Sequence, residues 1–351
     1  MFKHNRRRFL RTLALMPAAA VTGDLLLKGG FAHAGVSETN HTMRTSYTPK
    51  YVALHESGEL KKRADILYDK MRRCHICPRE CGADRLSGER GNCSANATLE
   101  ISSANPHFGE ENELVGDNGS GTVFFANCSL LCVFCINYEI SHYGQGREYN
   151  TSELANMMLG LQRIGCHNIN VVTPTHYAPQ ILRALEHATS NGLRLPLAYN
   201  TCGWEKKEIL EILDGVVDIY LADFKYDDPD AAAKYSNGAS SYPEITKEAL
   251  LEMHRQVGVA KPTAGSDIIH QGLMVRHLVM PENVAKSDQV VQWIANHLPK
   301  DTYLNIMSQY TPMYKAHDYP KISRRIYQSE YQQVVSAARE AGLTNLRLQM
   351  Q

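Results

Sequence analysis

Apolar and polar positions change their period repeatedly after residue 119. Behind Gly119-Ser120-Gly121, residues Thr122 to Ala126 form a short β-prone run. Leu154, Met157, Met158, Leu161 and Ile164 then recur at helical spacing, with Thr151 or Ser152 as the cap and Gly165 at the stop. Ile169 to Val172 reads as a strand. Ile181, Leu182, Leu185 and Ala188 mark the next helix, which Asn191-Gly192 ends. Leu195 to Asn200 is a strand, Glu205 to Leu213 a helix and Val216 to Asp223 a strand. Leu273 to Met280 and Tyr303 to Met307 are two more strands, with helical stretches around Glu248–Gln256 and Gln289–Asn296. Arg325 to Ala341 reads as a long surface helix.

Strands alternating with helices predict an α/β fold of parallel strands joined by crossovers. Six such strands are visible, against the eight of a closed barrel. In parallel arrangements the chemistry gathers at the C-terminal strand ends. Those ends carry Asn127-Cys128, Thr173-Pro174-Thr175-His176, Asn200-Thr201-Cys202, Asp223-Phe224-Lys225, Arg276-His277 and Gln309-Tyr310. So many polar strand ends are poor core filler.

Composition narrows the function classes. The 43% hydrophobic and 21% charged residues over 351 positions are ordinary globular values, excluding disordered and collagen-like chains. Lys and Arg total 37 and so do Asp and Glu, which removes the electrostatic case for nucleic acid or an anionic membrane as main partner. Residues 1–34 read as a twin-arginine-type signal: Arg6, Arg7, Arg8, Phe9, Leu10 and Arg11, an apolar run from Thr12 to Val21, then Ala32-His33-Ala34 as a cleavage site. That run is too short to span a bilayer, and no integral membrane segment is expected after signal removal. The rest divides into a polar linker (35–73), a Cys-rich extension (74–118), the strand–helix alternation (119–311) and a C-terminal helical segment (312–351).

Cysteine usage carries the chemistry. Seven of nine cysteines fall between Cys74 and Cys135, and an odd total fits a fully paired disulfide framework poorly. Cys128, Cys132 and Cys135 form C-x3-C-x2-C directly after a strand. Three thiolates at this spacing can hold three irons of a [4Fe–4S] cluster and leave the fourth open, whereas structural zinc takes four protein ligands. Cys74, Cys77, Cys81 and Cys93 form a second set, C-x2-C-x3-C-x11-C. Four thiolates there suit zinc or a second iron–sulfur cluster, and two disulfides are the alternative in an oxidising compartment.

The stretch Cys128-x3-Cys132-Val133-Phe134-Cys135-Ile136-Asn137 resembles the motif of the radical S-adenosylmethionine (SAM) enzymes. Its aromatic before the third cysteine and the asparagine two beyond resemble the branch around pyruvate formate-lyase activating enzyme. The likeness covers roughly residues 70–345. It includes Cys74-His75-Ile76-Cys77-Pro78-Arg79-Glu80-Cys81, Asn168 to His176, Asp223-Phe224-Lys225 and Val275 to Val279. The resemblance implies a partial (β/α)6 radical SAM barrel in which SAM chelates the open iron. A reduced cluster there yields methionine and a 5′-deoxyadenosyl radical. It also implies a reductant protein such as a flavodoxin or ferredoxin, and as substrate either a glycine on a partner protein or a small molecule.

By the same resemblance, Cys128, Cys132 and Cys135 match the cluster ligands and Phe134 the aromatic beside the adenine, with Asn137 next to it. Thr173-Pro174-Thr175 stands where many members carry Gly-Gly-Glu against the methionine amino group. Thr201 and Asp223 match positions of a monovalent cation, although Asn200 replaces an aspartate there. Lys225 and Arg276 are set to meet the SAM carboxylate, with solvent-exposed ion pairs as the plain alternative. His176, at a strand end, is a candidate acid/base. Cys202 is a candidate for hydrogen-atom transfer or ligation, or else a small core residue like Cys166. Two other classes stand beside the enzyme: a non-catalytic iron–sulfur electron carrier and a zinc-binding module. The signal suggests export and SAM chemistry a cytoplasmic supply, and the sequence leaves the compartment open.

Overall fold

In the computed structural model, which describes residues 47–263 and 265–349, the expected strands stand side by side in one sheet. The signal-like segment 1–34 and the linker residues 35–46 lie outside the described residues. Two helices, α1 (Tyr51–Glu56) and α2 (Glu59–Asp69), come first, then strand β1 (Leu99–His107), the short helix α3 (Asn112–Val115) and β2 (Ser120–Phe125). Next are α4 (Tyr138–Ser141), β3 (Arg147–Tyr149), α5 (Thr151–Ile164), β4 (Ile169–Val172), α6 (Ala178–Ser190) and β5 (Leu197–Thr201). The chain continues through α7 (Lys207–Ile212), β6 (Ile219–Asp223), α8 (Pro229–Tyr235), α9 (Tyr242–Val257) and β7 (Gly272–Leu278). It finishes with α10 (Ser287–His297), β8 (Tyr303–Met307), α11 (Gln328–Glu340) and β9 (Leu346–Leu348).

The sheet order is β3-β1-β2-β4-β5-β6-β7-β8-β9. From β2 to β9 each neighbouring pair is parallel, and β1 runs antiparallel to both β2 and β3. The six strands read from the sequence are the consecutive run β2 to β8, and the sheet stays open. This is the expected α/β partial barrel. Alternate residues feed two cores, as the period of a strand requires. Tyr199, Tyr220, Val275 and Ile306 join the main core with the helices. Ala198, Leu221, Met274 and Tyr303 face the other way, where Leu114, Ala260 and Ile269 cover them.

Several elements depart from the reading of the sequence. Strands β1, β3 and β9 were unexpected because their patterns are weak. β1 (Leu-Glu-Ile-Ser-Ser-Ala-Asn-Pro-His) is mostly polar, shifts register between Ile101 and Ser103, and contains Pro106. The linker expected over 35–73 instead holds α1 and α2. Their narrow apolar stripe, Tyr51, Leu60, Ala64 and Leu67, is buried, and the Tyr51 hydroxyl donates to the Leu195 carbonyl at 2.7 Å. The cap of α5 is Asn150 rather than Thr151 or Ser152. Its side chain accepts from the Glu153 N–H at 3.0 Å, and Glu153 accepts from the Asn150 N–H at 2.7 Å.

Candidate active site at the C-terminal strand ends

The loop leaving β2 turns sharply. Asn127 and Leu131 both hold positive φ (72° and 55°), as does Thr173 after β4 (57°). Such backbone in residues other than glycine is strained, and here it rings one site. Cys128, Cys132 and Cys135 all line a cavity of about 380 Å³ at these strand ends. Each sulfur receives a donor. The Leu130 N–H points to Cys128 Sγ at 3.4 Å, the Ser236 hydroxyl to Cys132 Sγ at 3.2 Å and the Ser141 hydroxyl to Cys135 Sγ at 3.2 Å. Burial pushes the Cys128 thiol up to about 11 and Cys132 up to about 12. Thiolates therefore form there only with positive charge beside them, which a metal supplies. Hydrogen bonds to sulfur act in the same direction, because a donor favours the anion.

Opposite the cysteines stands a ladder of charges. Asp223, ending β6, accepts from Arg276 Nε at 2.9 Å and from Lys225 Nζ at 2.6 Å. Arg276, on β7, also donates to Asn200 Oδ1 at 2.6 Å and to Glu110 Oε2 at 3.2 Å, and Asn200 Nδ2 reaches Glu110 Oε1 at 3.1 Å. Burial alone would raise Asp223, but Arg276 and Lys225 hold its carboxyl below the ordinary range. Burial does raise Glu110, against the pull of Arg276. Glu110, Asn200, Asp223, Lys225 and Arg276 all line the cavity. The two cations are thus buried and paired with acids; they are not the solvent-exposed pairs weighed for Lys225 and Arg276.

Phe134, Asn137, Thr173, Thr201 and Cys202 line the same cavity. Phe134 is buried against Tyr226 and Tyr310, and Asn137 is exposed at the loop's edge. Burial and the nearby Cys128 push the Cys202 thiol well above its usual value. Gly203 follows with φ +83°, and a Cβ there would stand 2.0 Å from the Asp223 carbonyl oxygen. Only glycine lets the end of β5 pack so closely on the end of β6.

Two expected residues sit elsewhere. His176 does not reach the cavity. Its ring is buried against Tyr177 with Nε2 bonded to the Ala126 carbonyl at 2.9 Å, and burial lowers it to about 3, so it is a neutral core residue at ordinary pH. Thr175 is buried and donates its hydroxyl to Glu205, which also accepts from Thr201. Thr175 therefore braces the floor and does not line the cavity. Glu205, raised to about 7 by burial, is a residue the sequence did not point to. Glu110, Ser141 and Ser236 are others.

Cys74, Cys77, Cys81 and Cys93 gather in the extension, away from the cavity lining. All nine cysteines are free thiols. Among the described residues, no three or more His, Cys, Asp or Glu side chains converge tightly enough to hold a single metal ion. For the three-cysteine loop this spacing suits a cluster better than one ion, since each thiolate of a cluster takes its own iron.

Residues 122–269 match the radical SAM superfamily. The matched stretch contains the three-cysteine loop and the ends of β4, β5 and β6. Glu110 and Arg276, which complete the charge ladder, lie outside it. Over 294 residues the chain is 29% identical to an uncharacterised protein of Methanocaldococcus jannaschii, covering 81% of this chain and 79% of that protein. Among the described residues no helix is long and apolar enough to cross a membrane.

Proposed function

We propose that the chain is a radical SAM enzyme, related to pyruvate formate-lyase activating enzyme, that holds a [4Fe–4S] cluster through Cys128, Cys132 and Cys135. One observation carries this reading. Three sulfurs on one loop each receive a hydrogen-bond donor and line one cavity with Asp223, Lys225 and Arg276. Cys128, Cys132 and Cys135 would hold the cluster, which when reduced would supply the single electron needed to cleave SAM to methionine and a 5′-deoxyadenosyl radical.

The chain's own residues bind and orient. Lys225 and Arg276 offer N–H donors to the SAM carboxylate, and Asp223 and Glu110 keep both cations in place beforehand. Phe134 gives an apolar wall for the adenine, with Asn137 at the rim. Thr173 presents its backbone and hydroxyl where other members use glycines and an acid. Thr201 is fixed by Glu205, and burial of the cavity walls limits water near the reacting bond. The electron comes from a reductant protein such as a flavodoxin or ferredoxin. The substrate is a glycine on a partner protein, as for the activating enzymes, or a small molecule.

The test is a SAM-cleavage assay on anaerobically reconstituted protein with dithionite. Methionine and 5′-deoxyadenosine in equal amounts are expected. An intact cluster giving neither above background overturns the reading. Cys202 favours a second one: a fourth thiol lines the same cavity near Cys128, and by closing the cluster it would make the chain an iron–sulfur electron carrier.

A further inference from the structure

We propose that Cys74, Cys77, Cys81 and Cys93 hold an iron–sulfur cluster, one iron to each thiolate, whose anionic charge neutralises the buried guanidinium of Arg85; the four thiols do not converge tightly enough for a single zinc ion. This goes beyond the SAM site and stands independently of it.

The backbone folds the four thiols toward one another. Cys74 N–H bonds to the Ala83 carbonyl at 2.9 Å and Gly82 N–H to the Cys74 carbonyl at 3.0 Å, which brings Cys81 back beside Cys74. A second turn, with Ser94 N–H on the Gly91 carbonyl at 2.8 Å and Gly91 N–H on the Ala95 carbonyl at 3.1 Å, delivers Cys93. Two of the sulfurs come together at Gly91: a Cβ built there would lie 2.9 Å from Cys81 Sγ and 3.8 Å from Cys93 Sγ, so a side chain would crowd them.

Arg85 separates the alternatives. Its side chain is fully buried. It donates to the Asn96 carbonyl at 3.2 and 2.7 Å and to Cys74 Sγ at 3.9 Å, and its guanidinium faces the Tyr177 ring at 6.0 Å. Among the described residues no carboxylate pairs with it. A buried cation without an anion is strongly disfavoured. Two disulfides, or four neutral thiols, leave Arg85 uncompensated. Four thiolates around an iron–sulfur core are net anionic and supply the counter-charge beside Cys74. Metal binding releases the thiol protons, so no residue of the chain needs oxidation.

The test removes the other site. Full-length Cys128→Ser/Cys132→Ser/Cys135→Ser protein is purified anaerobically and analysed for zinc, iron and acid-labile sulfide, with alkylation mapping of the remaining cysteines. Expected is iron with matching acid-labile sulfide, with Cys74, Cys77, Cys81 and Cys93 protected from alkylation until unfolding. Zinc without iron, metal-free protein, or mass shifts showing paired disulfides overturns the proposal. Should the triple variant misfold, Cys93→Ser in the otherwise native chain serves instead. It is expected to lose one centre's metal and keep the iron of the other loop, and metal content equal to wild type overturns the proposal. Neither readout uses SAM cleavage, so failure of the enzyme reading leaves this result distinguishable.

Discussion

Arg79 donates through Nε to the backbone carbonyl of Ser129 at 2.9 Å. The same guanidinium reaches the carbonyls of Leu130 (3.3 Å), Ser236 (3.1 Å) and Asn237 (2.6 Å), and stacks on Trp204 at 4.8 Å. Arg79 lies between Cys77 and Cys81, while Ser129 and Leu130 lie between Cys128 and Cys132. One side chain therefore ties the four-cysteine extension to the three-cysteine loop, and holds Ser236 where its hydroxyl meets Cys132.

Arg79 is accordingly a positioning residue, and Arg79→Lys should loosen the three-cysteine loop. A single ammonium cannot serve four carbonyls in one plane as the guanidinium fork does. Loss of charged hydrogen bonds worth about 1.5–3 kcal/mol each in general should speed iron release from Cys128, Cys132 and Cys135 several-fold. The check is chelator-challenged iron release beside the electron paramagnetic resonance spectrum of the reduced protein. Unchanged release and spectrum would show that Arg79 only packs.

Asp223→Asn should damage the charge ladder. The substitution leaves Arg276 with only Glu110 and Lys225 with no acid, inside a buried site. Breaking one partner of such a pair costs about 3–5 kcal/mol. Because Arg276 and Lys225 lower the Asp223 value, its contribution is present above the ordinary aspartate range and is lost as pH falls through that lowered value. A thermal-melt series from pH 3 to pH 8 should show wild type losing its advantage over the variant only at the acid end. A gap that stays constant throughout would mean the pairs add nothing.

Asp218 works in the opposite sense. It is buried at the start of β6, accepting from the Tyr47 hydroxyl at 2.6 Å and the Leu197 N–H at 2.8 Å. Burial raises it to about 7 despite both donors. The folded chain holds that proton more tightly, so stability is greatest below the ordinary aspartate value and falls as pH rises toward 7. Asp218→Asn removes the titrating group and keeps an acceptor for Leu197. Its unfolding free energy relative to wild type should climb between pH 4 and pH 7.5, by an amount on the order of 4 kcal/mol at most. Parallel curves would place the Asp218 proton elsewhere.

The six parallel strands were legible because strands buried on both faces are near-continuous apolar runs, such as Ile219 to Ala222, with turn residues between them. The three-cysteine loop was legible because its spacing is local. Glu110, Glu205, Ser141 and Ser236 were not: Glu110 and Ser236 come to the site from distant segments, while Glu205 and Ser141 follow Thr201 and Cys135 closely but belong to no motif that marks them. His176 was misread for a related reason. A strand-end position says that a residue is near the site, but the turn after Thr173 decides which way its ring points. α1 and α2 were hidden by composition, since their few buried residues are diluted by charged ones.

Cys202→Ala decides whether the cluster corner is open. Cys202 lines the cavity with the three loop cysteines, and its thiol, held protonated by burial, would ligate only after losing that proton to a nearby iron. If three thiolates suffice, the alanine variant keeps its iron and sulfide, and adding SAM still changes the cluster's spectrum. Removing a small, largely buried side chain should otherwise cost only about 1–2 kcal/mol. If Cys202 is the fourth ligand, the wild-type spectrum is insensitive to SAM and the variant becomes sensitive, because the substitution creates the vacancy. The two outcomes run in opposite directions on the same pair of proteins, so this variant separates an enzyme that binds SAM at iron from a carrier whose irons are all held by the chain.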